Sequence, residues 1–183
     1  MRIIAGMLGG RQLKTVEGEG YRPAMGRTRE ALFSMLGSRG IGWGETRVLD
    51  LFAGSGSLAF EALSRGAATA GLVENSATAM RCLKANVEAL GLSGQCRLFQ
   101  EDVLRFLKQP PADPVDLVFI DPPYGRNLLE PTLRLLETRG WLAAGALVTA
   151  EVEKEARLTI PDSFLPEADR LFGRTRILIW TRA

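Results

Sequence analysis

The string Asp121-Pro122-Pro123-Tyr124 is the densest cluster of chemistry in the sequence. It follows the apolar run from Val115, so a carboxylate stands at the tip of a buried strand and two prolines with fixed φ stiffen the exit. A stiff exit lets the Asp121 carboxylate and the Pro122 carbonyl point into one cleft. Two such acceptors match the two hydrogens of an aromatic amine. Accepting them draws the nitrogen lone pair out of ring conjugation and aims it at an electrophile. Tyr124 can stack on the ring and hold it flat.

A second group lies upstream, in Asp50-Leu51-Phe52-Ala53-Gly54-Ser55-Gly56. Glycines after a strand let backbone approach a ligand closely and turn the N–H groups of the next helix toward it. Gly54, Gly56 and Ala59 also satisfy the dinucleotide fingerprint, and Glu74, twenty residues after Gly54, is placed for ribose hydroxyls. A nicotinamide enzyme is therefore one reading. Against it, Asp50 would repel a pyrophosphate and suits a cationic ligand such as an amino acid's ammonium group. Asp102, ending a third strand, offers a polar group where an adenine edge would lie, and no length remains for a separate substrate domain.

The elements that must position these residues follow from periodicity. Arg2 to Ala5 and Gln12 to Val16 read as a glycine-linked hairpin, and Ala31, Leu32, Met35 and Leu36 as one face of a helix from about Gly26 to Leu36. From Arg47 strands and helices alternate. Strands are expected over residues 47–52, 68–74, 95–102, 115–121 and 145–153, and a closing hairpin around Gly173. Ser76 is the expected cap of a helix stopped by Gly91, and Asn127 the cap of a leucine-rich helix in which Pro131 is tolerated. Such alternation predicts an α/β fold, a mostly parallel sheet with helices on both faces, in which ligands bind beyond the carboxyl ends of the strands. Residues 1–45 are expected as an appendage and 46–183 as the main domain.

Composition removes several chemistries. The 183 residues include no histidine, which excludes histidine-based triads, general bases and zinc sites. Cys82 and Cys96 form no CxxC pair and are expected as small buried hydrophobes, with no metal site. No signal peptide or spanning apolar run is visible, so a soluble, cytoplasmic protein without membrane contact is expected. The net charge of +2 is uneven, with +4 over residues 1–47 and −2 over the rest. A basic front suits a polyanion, and Arg22, Arg27 and Arg29 are the candidate phosphate contacts. Trp43, Trp141 and Trp180, like Arg170, Arg174 and Arg176, are expected to serve structure.

Asp50 to Gly56 followed by Asp121 to Tyr124 resembles the amino-directed class of S-adenosylmethionine-dependent methyltransferases. More closely, the chain is similar to the bacterial 16S rRNA (guanine(966)-N2)-methyltransferase family. That likeness is carried by Arg2-Ile3-Ile4-Ala5-Gly6, Gly10-Arg11 with Leu13, Arg22-Pro23, Arg29 to Phe33, Glu61 to Arg65 and Gly140-Trp141-Leu142. It departs at Ala24-Met25-Gly26, where a threonine and then an acidic residue are expected. The resemblance implies a Rossmann-like class I methyltransferase fold of seven strands with an N-terminal hairpin and helix. It implies that Phe52, Ala53, Gly54, Ser55 and Gly56 hold the methionine part of S-adenosylmethionine. Glu74 would hold the ribose, Asp102 and Val103 the adenine, with Asn75 also binding the cofactor, and Asp121 to Tyr124 the target base. The implied partner is 16S rRNA or a partly assembled small ribosomal subunit. A DNA adenine-N6 methyltransferase and a non-catalytic RNA-binding module on the same fold remain as alternatives.

Overall fold

The computed structural model describes residues 1–16 and 26–183. Arg22, Pro23 and the Ala24-Met25 departure lie outside the described residues. The elements run α1 (Gly26–Gly37), a 3-10 turn (Trp43–Glu45), β1 (Arg47–Leu51), α2 (Ser57–Ser64), β2 (Thr69–Val73), α3 (Ala77–Leu90), β3 (Cys96–Phe99), α4 (Val103–Leu107), β4 (Val115–Ile120), α5 (Leu129–Thr138), β5 (Leu142–Glu153), β6 (Phe164–Phe172) and β7 (Thr175–Arg182).

The strands form one seven-stranded sheet in the order β3-β2-β1-β4-β5-β7-β6. β1 to β5 pair in parallel, and β7 runs antiparallel to both β5 and β6. Strand order reverses between β1 and β4. The connections leaving these two strands therefore diverge, which opens a crevice at their carboxyl ends. The Gly-rich loop and Asp121 leave from those two strand tips.

Strand alternation divides the core. Leu117 and Phe119 of β4 join a cluster with α1, α2 and α3, whereas Val118 and Ile120 join one with α4 and α5. A strand buried on both faces has to be apolar, as Leu117 to Ile120 are, while Asp116 at its open start pairs with Arg47. On the first face Phe33 of α1 packs against Phe119 and Trp43, with the Arg65 guanidinium over its ring. On the second, Trp141 packs against Phe106 and donates from Nε1 to the Leu107 carbonyl at 3.0 Å. Trp180 is buried there too.

Ser76 caps α3 by accepting from the Ala79 N–H, and Gly91 ends it in the left-handed region, as expected. Asn127 does not cap α5. The helix is entered through Leu128 without a side-chain cap, and Asn127 itself has φ of +50° and turns the chain. The two cysteines are free and only partly buried.

The N-terminal hairpin is held together by a single bridge, Arg2 with Gln12, flanked by bonds such as Ile3 N–H to the Arg11 carbonyl at 3.0 Å. A longer ladder does not form because the backbone donors go elsewhere. Ile4 and Ala5 donate to the buried Glu61 carboxylate at 2.7 and 3.1 Å, Leu8 donates to Ser64 Oγ, and Met7 to the Ser64 carbonyl. Gly6 allows this approach, since a Cβ there would lie 1.8 Å from the Ser64 oxygen. The hairpin and α1 thus share the main core, through Ile3, Leu13, Leu32, Phe33 and Leu36.

Candidate active site

The loop after β1 is wound tightly. Phe52, Gly54 and Gly56 all have positive φ, which is costly at Phe52 and persists because neighbours fix each turn. Ala53 N–H donates to the Val73 carbonyl, Gly54 N–H to Glu74 Oε2 at 2.9 Å, and Asn86 Nδ2 to the Ser55 carbonyl. Gly56 is required where it stands, because a Cβ would come within 2.3 Å of the Phe60 ring.

Asp50 lies behind this loop rather than on its open face. It is 2 % exposed and accepts the Ala59 N–H from the first turn of α2 at 3.1 Å. Burial pushes its carboxyl up to about 7, against the Ala59 hydrogen bond and with help from nearby Glu74. The direct contact with an ammonium group expected of Asp50 is therefore not what its position offers. Gly56 likewise shapes the loop from behind.

In front of the loop is a cavity of about 990 Å³. It brings together nearly all the predicted residues: Phe52 to Ser55 from the loop, Glu74 and Asn75 after β2, Asp102 and Val103 after β3, and Asp121 to Tyr124 after β4. Glu74 lines the cavity while using one oxygen for Gly54 N–H and the other for Ser76 N–H. Asp102 caps α4 by accepting the Arg105 N–H at 3.0 Å.

At the other end, sheet register decides what stands beside Asp121. Ile120 of β4 aligns with Ala150 of β5, so the next residues, Asp121 just past the tip of β4 and Glu151 near the carboxyl end of β5, are neighbours. Both line the cavity. Burial, then Glu151, then Asp50 hold the Asp121 carboxyl well above the usual range, and burial raises Glu151 as well. The loop beyond is buttressed from the sheet. Gly125 N–H donates to Glu153 Oε1 at 2.6 Å, and the Tyr124 hydroxyl shares a 3.1 Å hydrogen bond with Thr175 Oγ1 of β7. The Tyr124 side is open to the cavity mouth, the residue being 37 % exposed.

Glu151, Glu153 and Thr175 are not among the predicted site residues, nor are Met1, Thr15 and Val16, which line the cavity from the hairpin. One signal was available. Glu151 and Glu153 are acids at the carboxyl end of the fifth strand, the same kind of position that singled out Asp121.

The basic front divides. Arg27 is exposed in the first turn of α1. Arg29 is not on the surface: it is 2 % exposed and its guanidinium is bonded to the Arg2 carbonyl and Met1 Sδ. A buried side chain spent on backbone cannot reach a phosphate, so Arg29 is a tether for the hairpin. Arg22 lies outside the described residues. Arg176 is held by Asp169, in keeping with a structural charge. Among the described residues no helix is long and apolar enough to cross a membrane.

Comparison with known proteins agrees with this geometry. The family described as conserved hypothetical protein 95 matches residues 1–181. The chain is 38% identical over 183 residues to the ribosomal RNA small subunit methyltransferase D of Escherichia coli, covering 100% of this chain and 90% of that protein. It is 41% identical over 166 residues to the protein of the same name from Haemophilus influenzae, covering 90% and 84%. The solved structure of the yhhF protein of Escherichia coli superposes with a TM-score of 0.87 at 38% identity, covering 100% of this chain and 97% of that one. The seven-stranded class I methyltransferase architecture is shared. The chain belongs to this family, that of the ribosomal RNA small subunit methyltransferase D proteins.

Proposed function

We propose that this protein transfers a methyl group from S-adenosylmethionine to the exocyclic N2 amine of a guanine in small-subunit ribosomal RNA. The observation that carries the reading is one cavity with two chemically different ends. The Gly-rich loop, Glu74 and Asp102 line one end, and Asp121 to Tyr124 with Glu151 line the other. Its volume is at the top of the usual range for ligand pockets, enough for a cofactor and an everted base together.

The residues present fit the donor. Glu74 retains acceptor capacity for ribose hydroxyls, Asp102 can accept from an adenine amine, and Val103 and Phe52 supply apolar wall. Asn75 is exposed beside them. When bound, S-adenosylmethionine supplies an electrophilic methyl group on a sulfonium.

The chain's own residues do the rest. Asp121 and the Pro122 carbonyl would accept the two amine hydrogens and fix the direction of the nitrogen lone pair, while Tyr124 holds the base plane. Holding reactants in line is worth about 7–11 kcal/mol in favourable cases. As the nitrogen gains positive charge, the Asp121 carboxylate in its desolvated setting opposes that charge. A carboxyl group whose proton affinity is raised is also suited to take up the proton the amine sheds.

The test is transfer of labelled methyl from S-adenosylmethionine to small-subunit rRNA and to partly assembled subunits from cells lacking the protein, followed by nucleoside analysis. N2-methylguanosine at a single site is expected, and label in adenosine would overturn the guanine assignment. Asp121→Asn keeps the shape and removes the charge. It is expected to lower turnover roughly 10²–10³-fold with donor binding retained. Near-normal turnover in that variant would remove Asp121 from the mechanism.

A further inference from the structure

The Glu151 carboxylate stands beside the proposed amine-binding acceptors, yet the reaction as derived gives it no task. It lines the cavity, follows the last register pair of β4 and β5, and so sits next to Asp121. Its strand neighbour Glu153 is engaged with the Gly125 N–H. Among the described residues the Glu151 carboxylate makes no hydrogen bond or ion pair. A carboxylate on the cavity wall with no donor from the protein has its acceptor capacity free for a donor brought by the substrate.

The three amino-bearing bases differ in what adjoins the amine. In guanine the N2 amine is next to N1–H, so two donor groups lie side by side on one edge. In adenine the N6 amine is next to the N1 lone pair, and in cytosine the N4 amine is next to the N3 lone pair. An ionised carboxylate accepts and cannot donate. Two carboxylates at the carboxyl ends of adjacent strands therefore complement the guanine edge, and the second of them opposes a lone pair in either other base.

We infer that Glu151 is the specificity-determining residue that selects guanine, accepting the N1–H next to the amine held by Asp121. This rests on the proposed methyl transfer to the guanine amine and adds which residue selects that base. A donor brought against Glu151 also favours its ionised form, offsetting the effect of burial. With adenine or cytosine in the cavity, two acceptors face each other with no hydrogen between them, a mismatch that strongly rejects a substrate.

The test uses an rRNA fragment whose target base is either guanine or 2-aminopurine. Both carry the same amine, but 2-aminopurine has a lone pair at N1. Transfer is measured as kcat/KM, and equilibrium binding of the two RNAs by the full-length protein is measured without turnover. The unmodified protein is expected to prefer guanine strongly. In Glu151→Gln the amide can rotate to donate, so the guanine to 2-aminopurine ratio is expected to fall roughly tenfold to a hundredfold, in binding as well as in transfer. Thermal melting establishes that the variant is folded, and the binding ratio scores a variant that is merely slow.

An equal loss on both RNAs, or an unchanged ratio, would overturn the role of Glu151 while leaving methyl transfer to guanine intact. A failure of the unmodified protein to methylate guanine would instead overturn the reading on which this one rests.

Discussion

Asp50 illustrates how one buried carboxyl couples the site to stability. Its folded-state value of about 7 lies above the ordinary 3.8, so between those values the folded chain binds the proton more tightly than the unfolded chain. Stability from this group is therefore lost as pH rises from about 4 to about 7 and changes little above that. Asp121 and Glu151 are shifted in the same direction and add to the slope. Asp50→Asn keeps an acceptor for the Ala59 N–H and removes the charge. It is expected to flatten the fall in melting temperature between pH 5 and 8 and to stabilise the unliganded protein by on the order of a few kcal/mol at pH 8. Parallel melting curves for the two proteins would refute this. At this scale the sequence identifies chemistry better than it does direction. Asp121 is legible because a carboxylate and two prolines end an apolar strand. Asp50 is legible as a site residue, but nothing in its flanking glycines says that it faces α2. Arg29 carries the charge of a phosphate ligand, and charge alone does not reveal burial.

Among the elements, the hairpin and α2 form a lock whose key is Glu61. Its carboxylate is fully buried, accepts two backbone N–H groups from the hairpin and pairs with Arg65. Glu61→Ala leaves those donors buried without partners, at a cost of about 3–5 kcal/mol. The expected readout is faster hydrogen exchange at the Ile4 and Ala5 amides, together with weaker donor binding, because Met1, Thr15 and Val16 leave the cavity wall. Unchanged exchange at those two amides would show that the hairpin does not depend on Glu61. The order of strands and helices from Arg47 onward is legible because apolar runs alternate with amphipathic ones. The hairpin is less so. Its strands were read from β-prone residues, while its true pairing partners are a glutamate and a serine some fifty-six residues away. Asn127 is ambiguous for a similar reason, since its type suits both a helix cap and the left-handed turn it adopts.

For the whole molecule, the basic front becomes a statement about salt. If Arg22 and Arg27 contact phosphates, replacing each with alanine should weaken RNA binding and lower the slope of log affinity against log salt by about 0.7–1. Arg29→Ala should leave that slope unchanged and lower the melting temperature, because its guanidinium holds Met1 and Arg2. Equal slopes for all three variants and the parent would remove the front from RNA contact. The parallel character of the sheet and the position of the crevice follow from strand–helix alternation. The insertion of β7 between β5 and β6 does not, because antiparallel pairing at a sheet edge leaves no mark on the pattern of a single strand.

That insertion bears on how the protein comes into being. Translation delivers the Gly-rich loop first, Asp121 to Tyr124 next and β7 much later, yet β7 carries the threonine that holds Tyr124 and flanks the strand bearing Glu151 and Glu153. Segments that fold during synthesis can complete β1 to β5 while the chain is still tethered. The hydrogen bond from Thr175 to the Tyr124 hydroxyl therefore forms only once residue 175 has emerged, so the wall around Asp121 to Tyr124 is the last part of the cavity to be completed.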